Sequence, residues 1–121
     1  MDQVVVKTIT KTFKNRLQAG MAWFRFILSV NNISCTKREL ELLTFINFRG
    51  TISSSSSKEE FCKVFGSSPA TVNNLTSSLI KKKLLIKSKG KVKLNPVIQL
   101  ESEKKLVVRY YMNIEEETKE I

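Results

Sequence analysis

Apolar positions change their spacing several times along the 121-residue chain. The run "VVVKTIT", Val4 to Thr10, is β-branched and predicts a short strand. From residue 13 the period lengthens: Leu17, Met21, Phe24 and Leu28 stand at i, i+4, i+7 and i+11 and mark one stripe of a helix over 13–30. Trp23, Phe26, Ile27 and Val30 widen that stripe. A helix apolar over so much of its circumference needs more than one partner, either the rest of the domain or a second subunit.

Start signals then recur. Thr36 followed by Glu39 is a capping box, in which each side chain serves the other residue's free backbone N–H, and Leu40, Leu43 and Ile46 supply the buried stripe up to Gly50. "TISSSSS", 51–57, predicts a brief strand and then a serine linker that also caps; a phosphorylated tract is the alternative. Ser57 with Glu60 repeats the capping device and predicts a short helix, Lys58 to Phe65, burying Phe61, Val64 and Phe65. After a turn at Gly66, Ser67 or Ser68 caps a further helix whose first position is Pro69, where a missing N–H costs nothing.

That last helix has two unlike sides. Val72, Leu75 and Leu79 form its inward stripe, and the opposite side carries Ala70, Asn74, Ser77 and Lys81, flanked by Thr71 and Asn73. Solvated helix faces are ordinarily built from Glu, Lys, Gln and Arg, which propagate helix better than Asn, Ser or Thr. An outward face rich in short amides and hydroxyls therefore suits hydrogen bonding at close range, such as Asn to an adenine edge or Ser and Thr to bases and phosphates; the plain alternative is exposed surface in a serine-rich sequence. "LLIKSKGKVKLNP" follows and predicts two strands, Leu84 to Ser88 and Lys91 to Asn95, about a Lys89-Gly90 turn. Ile86, Val92 and Leu94 are expected to face inward, and Lys87, Lys89, Lys91 and Lys93 outward.

Charge sharpens this picture. The net charge of +10 draws the chain toward polyanions, nucleic acid first and anionic membrane next. The basic character is local, because Phe61 to Leu100 holds eight lysines and no carboxylate. The apolar stretch "AGMAWFRFILSV" is too short to span a bilayer and is broken by Arg25, and the N-terminus lacks a signal-peptide layout, so a cytoplasmic location without membrane is expected. Histidine is absent, and Cys35 and Cys62, with no CxxC spacing, read as small core residues in a reducing compartment, not as metal ligands. With no phosphate-binding glycine loop and no nucleophile beside a base, catalysis is not expected, and Glu39, Glu41, Glu59 and Glu60 read as helix caps and helix surface. No metal or cofactor is expected.

The order helix, short strand, short helix, turn, polar-faced helix, basic hairpin resembles a winged helix-turn-helix domain over Thr36 to Pro96, with "SSPATVNNLTSSLIKKKLL" similar to that family's recognition-helix pattern. One departure is Lys83, which stands where the family often places glycine. The resemblance implies a winged helix-turn-helix module at 36–96. Together with the elements read on either side of it, the expected fold is α+β with an additional N-terminal helix and short terminal strands: a strand and amphipathic helix for packing or dimerisation at 1–35, and a C-terminal strand with an acidic tail at 97–121. Double-stranded DNA would be contacted by Ser67, Ser68, Thr71, Asn73, Asn74, Ser77 and Lys81 of the recognition helix and by Lys87, Lys89, Lys91 and Lys93 of the wing. The expected function is a sequence-specific transcriptional regulator or replication accessory, acting as a dimer because paired half-sites multiply specificity. The whole chain also resembles, more loosely, small basic proteins of tailed bacteriophages, which leaves open a virion assembly or DNA-packaging component using the module as a non-specific DNA-binding or protein-interaction surface. In the last segment Leu106, Val108, Tyr110, Met112 and Ile114 share one face of an expected strand that could pair with Val4 to Thr10, ahead of the acidic "EEETKE".

Overall fold

The computed structural model describes residues 3–101 and 105–115. Four helices precede a hairpin: α1 (Arg16–Val30), α2 (Lys37–Arg49), α3 (Ser55–Phe65) and α4 (Pro69–Lys81), then β1 (Leu85–Ser88), β2 (Lys91–Leu94) and a short 3-10 turn, Pro96–Ile98. This is a small α+β fold with one two-stranded antiparallel sheet among the described residues. None of its described helices is long and apolar enough to cross a membrane.

Local chemistry sets each helix boundary. Asn15 caps α1 by accepting the Gln18 N–H, so the helix starts at Arg16 and not at residue 13. The Thr36–Glu39 capping box of α2 forms as expected. The expected Ser57–Glu60 box does not. Ser54 takes the cap instead and accepts the Ser57 N–H, so α3 begins earlier, at Ser55, and Ser57 lies inside its first turn. A run of five serines offers several equivalent caps, and the choice falls to whichever registers the apolar stripe on the core. Ser68, and not Ser67, caps α4, with Pro69 at the first position.

One hydrophobic cluster joins all these elements. It contains Met21, Phe24 and Leu28 of α1, Leu40, Leu42, Leu43 and Ile46 of α2, Phe61 of α3, Val72 and Leu79 of α4, and Leu85 and Val92 of the hairpin. The N-terminal helix is therefore part of the same core as the 36–96 segment. Its approach to α2 is close: a methyl group on Gly20 would collide with Cγ2 of the buried Thr44, so only glycine allows the two helices this separation. The chain returns to this pair after the hairpin, where the Trp23 indole N–H donates to the Ile98 carbonyl at 2.8 Å. The Asn47 amide meanwhile brackets the backbone of Leu100, donating at 3.2 Å and accepting at 2.8 Å.

Several expectations are corrected. Residues 4–10 form neither helix nor strand, and their side chains are exposed. Residues 105–115 likewise form no strand, and Leu106, Val108, Tyr110, Met112 and Ile114 are exposed, with the Tyr110 ring meeting Phe26 edge-on at 6.5 Å. The two segments neither pair with each other nor join the β1–β2 sheet: each has a strand's composition, but composition alone does not supply a partner edge. The acidic ending beyond Glu115 lies outside the described residues. Leu17 and Val64 are exposed where burial was expected, Val64 because α3 turns Phe61 to the core and has no second layer beneath its other side. Glu39 and Glu41 are buried, not helix surface. Thr51 to Ser53 forms no strand, although Ile52 is fully buried there.

Candidate functional site

The α3–α4 pair and the hairpin place the expected contact residues. Gly66, in the left-handed conformation at φ 65°, ends α3, and the Ser67 N–H closes the turn on the Cys62 carbonyl at 3.0 Å. Helix α4 then rests on the core through Val72 and Leu79, with Leu75 half-buried. Ala70, Thr71, Asn73, Asn74, Ser77 and Lys81 are all exposed on its other side. None of the hydrogen bonds among the described residues uses the Asn73, Asn74 or Ser77 side chain, so their donors and acceptors face water. Ser68 and Thr71 are partly engaged with each other, their hydroxyls 2.9 Å apart. Ser67 is half-buried and is the least available of the expected residues.

The far end of α4 is anchored. Lys82 Nζ donates to both carboxylate oxygens of Glu39, at 3.2 and 3.1 Å, and to the Ser34 carbonyl at 2.7 Å; Ser78 Oγ donates to Glu39 at 3.0 Å. Glu39, only 4% exposed, thus caps α2 and clamps α4 to it at once. Burial pushes its carboxyl up, but bonds from the Thr36 N–H, Lys82 and Ser78, with the Lys82 charge, outweigh burial and hold it below the ordinary glutamate range. The Cys35 sulfur lies 3.9 Å from the same ammonium, and burial followed by the Glu39 charge raises its thiol, which stays protonated. Cys35 and Cys62 are both free thiols, half-buried at the edge of the core.

Lys83 continues the connection in the conformation that usually selects glycine, at φ 63°. Its N–H reaches the Ile80 carbonyl at 2.9 Å and the Leu84 N–H reaches Leu79 at 3.0 Å, the paired bonds of a Schellman end, with Leu79 and Leu84 buried together. The lysine noted as a departure thus occupies glycine's backbone position. Asn95 ties the base of the hairpin to this junction, donating from its amide to the Lys83 carbonyl at 2.9 Å.

In the hairpin, Lys89 and Gly90 both have positive φ, 53° and 76°, as a two-residue type I′ turn requires. That turn pairs Leu85 with Leu94, Ile86 with Lys93, Lys87 with Val92 and Ser88 with Lys91. Opposed residues share a face, so Ile86 joins Lys91 and Lys93 on the outer face and is exposed, while Lys87 takes the face of Val92 and Leu85. The expectation that Ile86 faces inward and all four lysines outward is corrected accordingly. Cations lie on both faces and at the tip, and all four are exposed. The outer edge of β2 is braced by side chains that sequence reading assigned to a strand: Thr51 Oγ1 donates to the Val92 carbonyl at 2.8 Å, and Ser53 Oγ accepts the Val92 N–H.

The charge on this part of the molecule is unopposed. Glu39, Glu41 and Glu60 are paired with Lys82, Arg38 and Arg49 respectively. Lys81, Lys87, Lys89, Lys91 and Lys93 have no ion-pair partner among the described residues. Sequence reading overlooked Glu39–Lys82–Ser78 and Thr51–Ser53; the capping box marked Glu39, but nothing in the spacing joins it to a residue 43 positions away. In comparisons with known proteins, no protein-family model, curated protein or solved structure matches the chain.

Proposed function

We propose that the chain is a DNA-binding protein of winged helix-turn-helix type, in which α4 reads base edges in a major groove and the β1–β2 hairpin grips phosphates as the wing. One observation carries the reading: the outward face of α4 holds two asparagines and a serine with no internal hydrogen-bond partner, and the hairpin that follows it carries four exposed lysines with no carboxylate beside them. Amides of this kind match adenine edges, and lysines that neutralise phosphates release counterions. The role is that of a sequence-reading regulator or replication accessory, and it is a binding role without catalysis. The exposed apolar residues 106–114, with Phe26 beside them, favour a second copy as partner, since paired half-sites multiply specificity. The same exposed segment would equally serve a virion assembly or packaging component that holds DNA without reading it.

The test separates reading from holding. Asn74→Ala should weaken binding to a selected duplex by about 1–3 kcal/mol and leave binding to random duplex unchanged. Lys89→Ala with Lys91→Ala should weaken binding to every duplex alike and reduce the slope of log K against log salt by about 1.8, since each neutralised phosphate contributes about 0.9. Equal loss on all duplexes, or none, after Asn74→Ala would favour the assembly role. A salt-independent affinity would remove phosphate contact as the main contribution. Light scattering that finds a monomer with and without DNA would exclude the dimer.

A further inference from the structure

We propose that the exposed segment 3–14 is a second nucleic-acid contact, an arm that lies along the phosphate backbone through Lys7, Lys11 and Lys14. The inference rests on the DNA-binding reading and adds a surface outside α4 and the hairpin. Residues 3–38 contain no carboxylate, so the lysines of the arm have no acidic neighbour in sequence. All of 3–14 is exposed and without helix or strand, and its only hydrogen bond within the described residues runs from the Lys14 N–H to Gln18. The backbone N–H groups and the hydroxyls of Thr8, Thr10 and Thr12 are thus left as donors interleaved with the cations, which is the mixture that phosphate oxygens accept. The β-branched residues Val4, Val5, Val6, Thr8, Ile9, Thr10 and Thr12 disfavour helix and favour extended backbone. From Lys7 to Lys14 an extended chain covers about 23 Å, at about 3.3 Å per residue, or about seven base pairs of duplex axis. The root of the arm is held: the Arg16 guanidinium lies over the Phe48 ring at 5.5 Å, fixing the start of α1 against the end of α2.

The full-length chain tests this. The Lys7→Ala, Lys11→Ala, Lys14→Ala triple variant should lose affinity on all duplexes alike, keep the base preference, and show a salt slope smaller by up to about 2.7. In a parallel measurement, a lysine-specific protease should cut after Lys7 and Lys11 several-fold more slowly when duplex is bound. A triple variant with unchanged slope, while the Lys89→Ala, Lys91→Ala variant still lowers it, overturns the arm and leaves the wing reading intact. A lowered slope with cleavage at the same rate with and without duplex also overturns it, because the lysines would then act at a distance. If neither variant changes the slope, the DNA-binding reading itself fails. The side chains of Lys7, Lys11 and Lys14 are exposed and make no hydrogen bond or ion pair among the described residues, so the triple variant folds as the parent does and its thermal midpoint should match.

Discussion

Two sides of α4 are built from the same residue types and serve opposite purposes. On the outward side Asn73, Asn74 and Ser77 are exposed and bond to nothing internal; Ser78, the next residue along, and Lys82 at the C-cap are spent on Glu39. Serine against serine and lysine against lysine, what differs is the neighbour. A buried carboxylate demands partners, since an unsatisfied charge in the interior costs far more than an exposed one, so the residues within its reach become structural. The lysine-rich stretch is therefore not uniformly a binding surface. Lys82 belongs to the fold, and Lys81, Lys87, Lys89, Lys91 and Lys93 remain available.

Mutations can break that contrast in graded fashion. Glu39→Ala removes a cap and strands Lys82 and Ser78, and should lower stability by about 3 kcal/mol, seen as a fall in Tm of roughly 15 °C. A loss below about 1 kcal/mol would mean that the anchor is incidental. The same carboxylate gives a pH signature. Its folded-state value is depressed, so as the pH falls the unfolded chain takes up the proton first. Its stabilisation is complete above the ordinary glutamate value of about 4.3 and is lost as pH drops through the lower folded value. Urea midpoints at pH 6 and pH 3 should therefore differ more for the parent than for Glu39→Gln.

Lys82→Met keeps the aliphatic stem and removes the ammonium, and should cost about 2 kcal/mol by leaving Glu39 short of a partner. Denaturant titration decides it; a neutral result would make Ser78 and Thr36 sufficient. Lys83→Gly should stabilise the chain by about 0.5–1 kcal/mol, because glycine takes the φ of 63° without strain. Smallest of all, Asn74→Ala should leave stability within about 0.5 kcal/mol of the parent, since the side chain has no contact to lose. A larger loss would show that Asn74 is part of the fold, and the contrast between the two sides would collapse.

Much of the architecture is legible in the residues. Period and caps locate α2 to the residue, through Thr36 with Glu39 and the stop at Gly50, and they place the start of α4 at Pro69 while leaving its cap open between Ser67 and Ser68. The outward face of α4 is also legible, because 3.6-residue geometry alone puts Asn74, Ser77 and Lys81 opposite Val72 and Leu79. The hairpin shows how a small parity choice misleads. A two-residue turn at Lys89-Gly90 obliges Ile86 to oppose Lys93, yet hydrophobicity alone suggests that Ile86 shares the side of Val92.

What the sequence determined by itself is whatever depends on neighbours within one turn of helix or one hairpin: the limits of α2, the positive-φ turn, the polar stripe of α4, and the long acid-free stretch. What only the tertiary structure decided is which of these groups find distant partners. Glu39 meets Lys82 across 43 positions, Thr51 and Ser53 reach Val92 across 41 and 39, and Trp23 reaches Ile98 across 75. The terminal segments carry a strand's composition as plainly as β2 does, yet they join no sheet and stay exposed. Alternation specifies a face, but a strand exists only where another edge satisfies its backbone, and that is a property of the assembled fold.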